Sequence, residues 1–316
     1  SAGSILLGSA LGRCLTGSAR LRRLAGYYDE IGRKRASQVN AEVLHWLARR
    51  NHGGRPFFVF LNYYDAHSPY LPPEPFDTLF DRRRTPPNPL LANERPTTES
   101  DALGDIAAYD ESLAALDQQL GMLLDELDRR GVLRNTVVLI TADHGEEFGE
   151  HGLLEHGKSL YIQALHVPLL VIFPGSVPHG RRVSEPVTLR DVPATLLALA
   201  GPATAGRESS PALPGYSLAR FWNGEKTIGN GAELILSEVQ YNSGHPRWYP
   251  VSKGDMASLV DGTRHLIRGG DGAIELYDFD ADPGEQRNLA ARPKMSATVR
   301  RLAETLRAAV PMSARY

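Results

Sequence analysis

The sequence predicts an α/β fold: a mostly parallel sheet covered by helices, followed by a small antiparallel sheet with one helix. Two observations carry this. A helical pattern runs into a short apolar strand twice over, at 36–50 into 56–65 and at 106–127 into 136–141, the signature of strands covered by helices. From about residue 230, short strand patterns replace the long ones and end in one amphipathic helix.

Residues 36–50 read as a helix with Val39, Val43, Trp46 and Leu47 on one face. The aromatic and β-branched run 56–65 (PFFVFLNYYD) suits a buried strand. A Pro-rich loop follows from Ser68 to about Pro96. The clearest helix carries Ile106, Tyr109, Leu113, Leu116, Leu120, Leu123 and Leu127, with Gly131 where a C′ glycine belongs. Strands are expected at 136–141 (TVVLIT) and 167–173 (VPLLVIF), then a helix at 191–200 with Asp191 as N-cap. Further strands are expected at 232–238, 257–260, 264–268 and 274–279, and a last helix carries Val299, Leu302, Leu306 and Val310. The expected division is 1–225 for the main domain and 226–316 for the small one.

Composition narrows the function classes. The 316 residues are 42% hydrophobic and 23% charged, with a net charge of −2, ordinary for a globular protein and no basis for nucleic acid as partner. An anionic substrate would need local positive groups. The single cysteine, Cys14, excludes an intrachain disulfide. No apolar run reaches the roughly 18 residues that a membrane-spanning helix needs. Residues 1–12 have no basic leader, and the start at Ser1 suggests processing or truncation.

Three clusters could carry chemistry. Asp143 and His144 follow the strand 136–141 directly, in TADHGEEFGEHG. Ligands of open α/β sheets sit at the carboxyl ends of strands, and an adjacent Asp and His offer one oxygen and one nitrogen to a divalent metal. His151, His156 and Lys158 fall within eight positions of glycine-punctuated backbone, a set suited to charge-assisted hydrogen bonds with an oxyanion. His67 follows the strand 56–65 and could hold a substrate oxygen or protonate a leaving group. The plainer alternatives are a turn cap for Asp143, a solvated polar loop at 151–158 and a hydrogen-bonded loop histidine at 67.

The order of segments resembles the sulfatase family of the alkaline phosphatase superfamily. The blocks are FFVFLNYYDAHSPY, YDESLAALDQQLGMLLDELDRRGVLRNTVVLITADHGEEFGEHG, HGKSLYIQALHVPLLVIFPG, LRDVPATLLALAG and IELYDFDADPGEQRNLA. The resemblance implies an alkaline phosphatase-like α/β fold and hydrolysis of a sulfate ester with one divalent cation, Ca²⁺ or Mg²⁺, with Mn²⁺ as a further possibility. It assigns Asp143 and His144 to the second half of the metal site and His67 to contact with the ester. It puts Lys158, or His156 at near-equal standing, on the substrate's charged oxygens, and His151 behind them. Asp278 and Asp282 read as turn caps of a structural block. The implied substrate is a sulfated small molecule or glycan, and the family slightly favours a periplasmic or extracellular location. The aromatic stretch 240–250, with His245, Arg247 and Trp248, is either a surface loop between strands or a stacking surface for a sugar or aryl group.

Family members also carry an upstream Cys- or Ser-x-Pro-x-Arg signature, whose Cys or Ser becomes the formylglycine nucleophile, and an acidic pair that completes the metal site. Cys14 is followed by Leu-Thr-Gly-Ser, so it does not fit. The chain therefore reads as an N-terminally truncated member, expected to lack esterase activity by itself and to be poorly soluble. Two rival readings stay open: a phosphodiester or phosphonate monoester hydrolase or phosphoglycerol transferase of the same superfamily, and a non-catalytic homologue that binds an anion or glycan.

Overall fold

In a computed structural model, residues 33–50, 55–80, 99–201, 215–223 and 234–310 are described. The chain divides into two units, Ser1–Gly131 and Val132–Tyr316. Cys14 and the expected domain boundary at 225/226 lie outside the described residues.

In the first unit, helix α1 (Ala36–Arg49) buries Ala36, Asn40 and Leu47. The buried face is thus rotated from the expected one: Val39 and Val43 are half-buried, and Trp46 is exposed, edge-on to Phe57 at 5.9 Å. A polar residue takes the inner position because it finds partners there. Asn40 donates to the Gln119 carbonyl at 2.8 Å and accepts from the Tyr63 hydroxyl at 2.7 Å. The run 56–65 is not a buried strand. It has no ladder partner among the described residues, and Phe58 and Phe60 are 77% and 79% exposed. Its aromatic and β-branched content reports a capacity to pair, which only a neighbouring strand can realise. Helix α2 (Glu99–Arg129) lines its buried side with Ala108, Ser112, Ala115 and Leu123, while Leu113 is exposed. It ends as expected, with Gly131 at φ +69° and its N–H on the Asp128 carbonyl at 2.7 Å.

The second unit contains strands β1 (Val138–Thr141), β2 (Glu147–Phe148), β3 (Leu154–Glu155) and β4 (Leu169–Ile172). β1 and β4 pair antiparallel, Val138 opposite Ile172 and Thr141 opposite Leu169. A parallel arrangement of these two was expected. The segment between them explains the difference: it holds the short β2-β3 hairpin and the one-turn helix α3 (Ile162–Leu165), with no long crossover helix, and folds back onto the end of β1. Gly145 N–H donates to the Ala164 carbonyl at 2.8 Å and the Thr141 hydroxyl to the Pro168 carbonyl at 2.8 Å. β4 therefore starts where β1 ends and must run the other way.

Helix α4 (Asp191–Ala200) follows the expected span, but Asp191 does not cap it. Its buried carboxylate accepts the Tyr216 N–H at 2.8 Å and pairs with Arg220 at 3.0 Å, anchoring the segment 215–223.

Strands β5 (Ile235–Val239), β6 (Met256–Asp261), β7 (Arg264–Arg268) and β8 (Ile274–Asp278) form the expected antiparallel meander, in the order β5-β6-β7-β8. Both faces are covered, and the two-residue period sorts the side chains. Ala257, Leu259, Leu266 and Leu276 meet Leu302 and Leu306 of helix α5 (Ser296–Ala309). Met256, Ile267 and Tyr277 meet Leu160 and, less deeply, Tyr161 of the loop that follows β3 and Leu165 of α3. In the turn after β8 the Asp282 carboxylate accepts the Arg287 N–H at 2.7 Å and the Asp278 carboxylate the Ala281 N–H at 3.4 Å, and Asp278 also pairs across the strands with Arg264 at 2.7 Å.

Candidate active site

The chain leaves β1 through Asp143-His144-Gly145. Asp143 is 90% exposed, and its carboxylate accepts its neighbour's N–H, from His144 at 3.2 Å. His144 Nδ1 lies 2.8 Å from the Gly145 carbonyl. With Nδ1–H donated there, Nε2 keeps its lone pair. That Nε2 lies 3.7 Å from Asp143 Oδ1, a separation two ligands of one cation can span. The pair therefore fits a divalent cation with one oxygen and one nitrogen. Among the described residues no group of three or more His, Cys, Asp or Glu is placed to hold a metal.

Gly145 is the residue that permits this corner. A Cβ built on it would stand 2.0 Å from the Gln163 carbonyl oxygen, because the backbones of 145 and 163–164 are in direct contact.

The loop 146–161 brings His156 onto the pair: its ring stacks on His144 with centroids 3.8 Å apart. Its Nδ1 meets the Glu146 carboxylate at 2.9 Å. That hydrogen bond raises the His156 pKa, against the opposing effect of burial, which favours positive charge beside His144. Lys158 points elsewhere. It is buried, donating to the Leu154 carbonyl at 2.9 Å and to the Glu155 carboxylate, with Tyr249 beneath it at 5.4 Å. His151 stacks on Tyr161 at 3.6 Å with rings almost parallel. His151 and Glu155 both have positive φ, 55° and 65°, uncommon for residues with a side chain and typical of functional loops.

His67 belongs to the first unit. It stacks on Tyr64 at 4.6 Å, and its Nδ1 lies 2.7 Å from the Ser68 carbonyl. Arg33 holds this turn, its buried guanidinium donating to the carbonyls of Tyr64, Ser68 and Pro69 at 3.1–3.3 Å and to that of His67 at 2.6 Å. Nothing in the sequence around Arg33 marks it. Glu146 and Glu147 also escape a reading that looks for cations and metal ligands, although the pair stands next to the Asp-His-Gly.

Glu147 is fully buried and accepts the Ser159 hydroxyl at 2.7 Å. Burial pushes its carboxyl up from 4.5 to about 7, with Ser159 opposing. The folded state thus keeps a proton that the unfolded chain releases. The stabilisation is complete below 4.5 and is lost as pH rises through about 7. Glu147→Gln is expected to flatten this dependence, so that urea midpoints of the variant change less than wild type between about pH 5 and 8. Equal slopes for both proteins would refute the assignment.

Residues 19–202 match the family model described as Sulfatase, more than half of the chain. The chain belongs to the sulfatase family. It is 27% identical over 296 residues to a sulfatase of Formosa agariphila, covering 85% of this chain and 53% of that protein. It is 27% identical over 310 residues to the choline-sulfatase of Rhizobium meliloti, covering 91% and 56%. Among solved structures, the phosphonate monoester hydrolase of Agrobacterium radiobacter superposes with a TM-score of 0.68 at 24% identity, covering 87% of this chain and 60% of that one; at that identity the likeness shows the fold, an alkaline phosphatase-like α/β fold. The chain spans about half the length of these curated relatives. Members of the sulfatase family are metal-dependent, which supports a divalent cation in general.

Proposed function

We propose that the full-length protein hydrolyses sulfate esters, with Asp143 and His144 supplying two ligands to one divalent cation, Ca²⁺ or Mg²⁺. The observation that carries this is the exposed Asp143 carboxylate beside the His144 Nε2 at 3.7 Å, at the end of β1. The cation supplies Lewis-acid charge that polarises an ester oxygen. The remaining ligands and the nucleophile, formylglycine on the family's pattern, lie outside these residues.

Within the chain, His156 is hydrogen-bonded to the Glu146 carboxylate, which favours its charged form, and it stacks on His144. It is the better candidate for meeting developing negative charge on the sulfuryl group. Lys158 would have to leave Glu155 and the Leu154 carbonyl to do so. His67 is proposed to contact the ester, and His151 to support the loop through Tyr161. His156→Ala is therefore expected to lower kcat/KM by about 100-fold in an aryl sulfatase assay of the full-length protein. Lys158→Ala is expected to act mainly through stability. The opposite ranking would hand the role back to Lys158.

The test of the proposal is turnover of an aryl sulfate by the full-length protein, with mass spectrometry over any Cys- or Ser-x-Pro-x-Arg peptide. Turnover that is lost with Asp143→Ala, together with formylglycine in that peptide, supports sulfate hydrolysis. Turnover of a phosphonate monoester in its place, with an unmodified Ser or Thr, favours phosphoryl chemistry, a second reading supported by likeness to a phosphonate monoester hydrolase from Silicibacter pomeroyi (25% identity, TM-score 0.67). The exposed Trp248, stacked on Tyr249 at 4.0 Å, is a proposed stacking surface for a glycan or aryl substrate.

A further inference from the structure

Glu285 lies in the turn after β8, far along the chain from the metal pair. It is fully buried and has φ +52°, a conformation that costs a side-chain-bearing residue energy. Its two carboxylate oxygens serve two different elements. Oε1 lies 2.7 Å from Nδ1 of His265, itself fully buried in β7. Oε2 accepts the N–H of Ile162 at 2.8 Å, the first N–H of α3. Such an N–H has no partner inside its own helix, and a one-turn helix has little else to hold it in place. Next door, Gln163 donates its side-chain amide to the Gly284 carbonyl at 3.2 Å.

Helix α3 in turn fixes the metal corner. The Gln163 carbonyl oxygen occupies the space where a Cβ of Gly145 would be, and the Ala164 carbonyl accepts the Gly145 N–H at 2.8 Å. A continuous path of contacts therefore runs from His265 in the sheet through Glu285 and α3 to Gly145, the residue that follows Asp143 and His144. Every link is a hydrogen bond or a backbone contact, with no flexible surface side chain between them.

We infer that Glu285 is a positioning residue for the Asp143-His144 pair, acting through α3 and Gly145. This rests on the proposed role of that pair as metal ligands. Among the described residues His265 Nε2 has no hydrogen-bond partner, so the ring engages its surroundings through the Nδ1 contact that holds the Glu285 carboxylate in place. Outer groups that orient metal ligands in this way commonly change metal affinity by about 10–100-fold when removed.

Three variants of the full-length protein test this. Glu285→Met keeps the volume and removes both acceptors. Glu285→Gln keeps one acceptor for Ile162, with the amide NH₂ turned to Nδ1 of His265. Leu302→Ala weakens the core on the opposite face of the same sheet. The readouts are Ca²⁺ affinity by calorimetry and amide exchange of the metal-free protein, by mass spectrometry of peptides covering 143–150 and 160–166. Glu285→Met is expected to weaken Ca²⁺ binding about 10-fold or more and to speed exchange in both peptides, Glu285→Gln to restore most of both, and Leu302→Ala to lower the melting temperature while leaving both near wild type. If Glu285→Met only lowers the melting temperature, as Leu302→Ala does, Glu285 is structural and the inference falls. If Asp143→Ala leaves Ca²⁺ affinity unchanged, the metal role of the pair fails instead, and the exchange of 143–150 still decides whether Glu285 holds that corner.

Discussion

Replacing Gly145 with alanine is expected to displace the Asp143-His144 corner and to cost the full-length protein most of its activity. The added Cβ would lie 2.0 Å from the Gln163 carbonyl oxygen and 3.1 Å from its carbon. Both are backbone atoms, so no side chain can rotate away. Either α3 moves, which breaks the Gly145 to Ala164 hydrogen bond and strains the Glu285 link, or the corner itself moves. Forced overpacking typically costs about 1–3 kcal/mol, and a shift of about 1 Å in a reacting group can lower the rate by about 100-fold. Thermal unfolding and divalent-cation affinity, measured on the same preparation, check this. Wild-type values in both would mean that the close approach at Gly145 is not obligatory.

The second large effect lies in the small sheet. Leu302 and Leu306 are almost fully buried against Ala257, Leu259, Leu266 and Leu276, which are themselves sealed from solvent. Leu302→Ala leaves a cavity between α5 and the sheet that the meander is too tightly hydrogen-bonded to close. A loss of about 2–5 kcal/mol is expected, read from urea denaturation. Leu113, a leucine of the α2 pattern that is exposed, gives the contrast: Leu113→Ala should change stability by less than about 1 kcal/mol. Similar losses at the two sites would mean that the α5 face is not the core it looks like.

The helices and the small sheet were legible because their signals are local. A leucine every three or four residues and a glycine at the end describe α2 without reference to anything else. The alternation in 256–278 likewise describes strands whose neighbours are next along the chain. The same local reading misplaced what depends on partners. The 56–65 run has the composition of a buried strand, yet Phe58 and Phe60 are exposed. Asp191 looks like a cap and instead ties down residues 216–220.

At the candidate site, the residue types and their order were readable: an Asp-His-Gly after a strand, then histidines and a lysine on a glycine-rich loop. That pattern requires no distant contact. Which of His156 and Lys158 stands beside His144 was not readable, because one residue of twist in a loop with several left-handed positions reverses the answer. The antiparallel return of β4 was hidden for a similar reason, since the hydrogen bonds of Gly145 and Thr141 that turn the chain join residues about twenty apart or more. Glu285 is the extreme case. Its place in DPGEQRNLA reads as a turn, and only the folded chain brings its carboxylate to the first N–H of α3. The sequence by itself determined the elements and the chemical groups offered near the end of β1; tertiary structure decided which groups meet, because hydrogen-bond partners and close backbone approaches are set by residues that the local pattern does not contain.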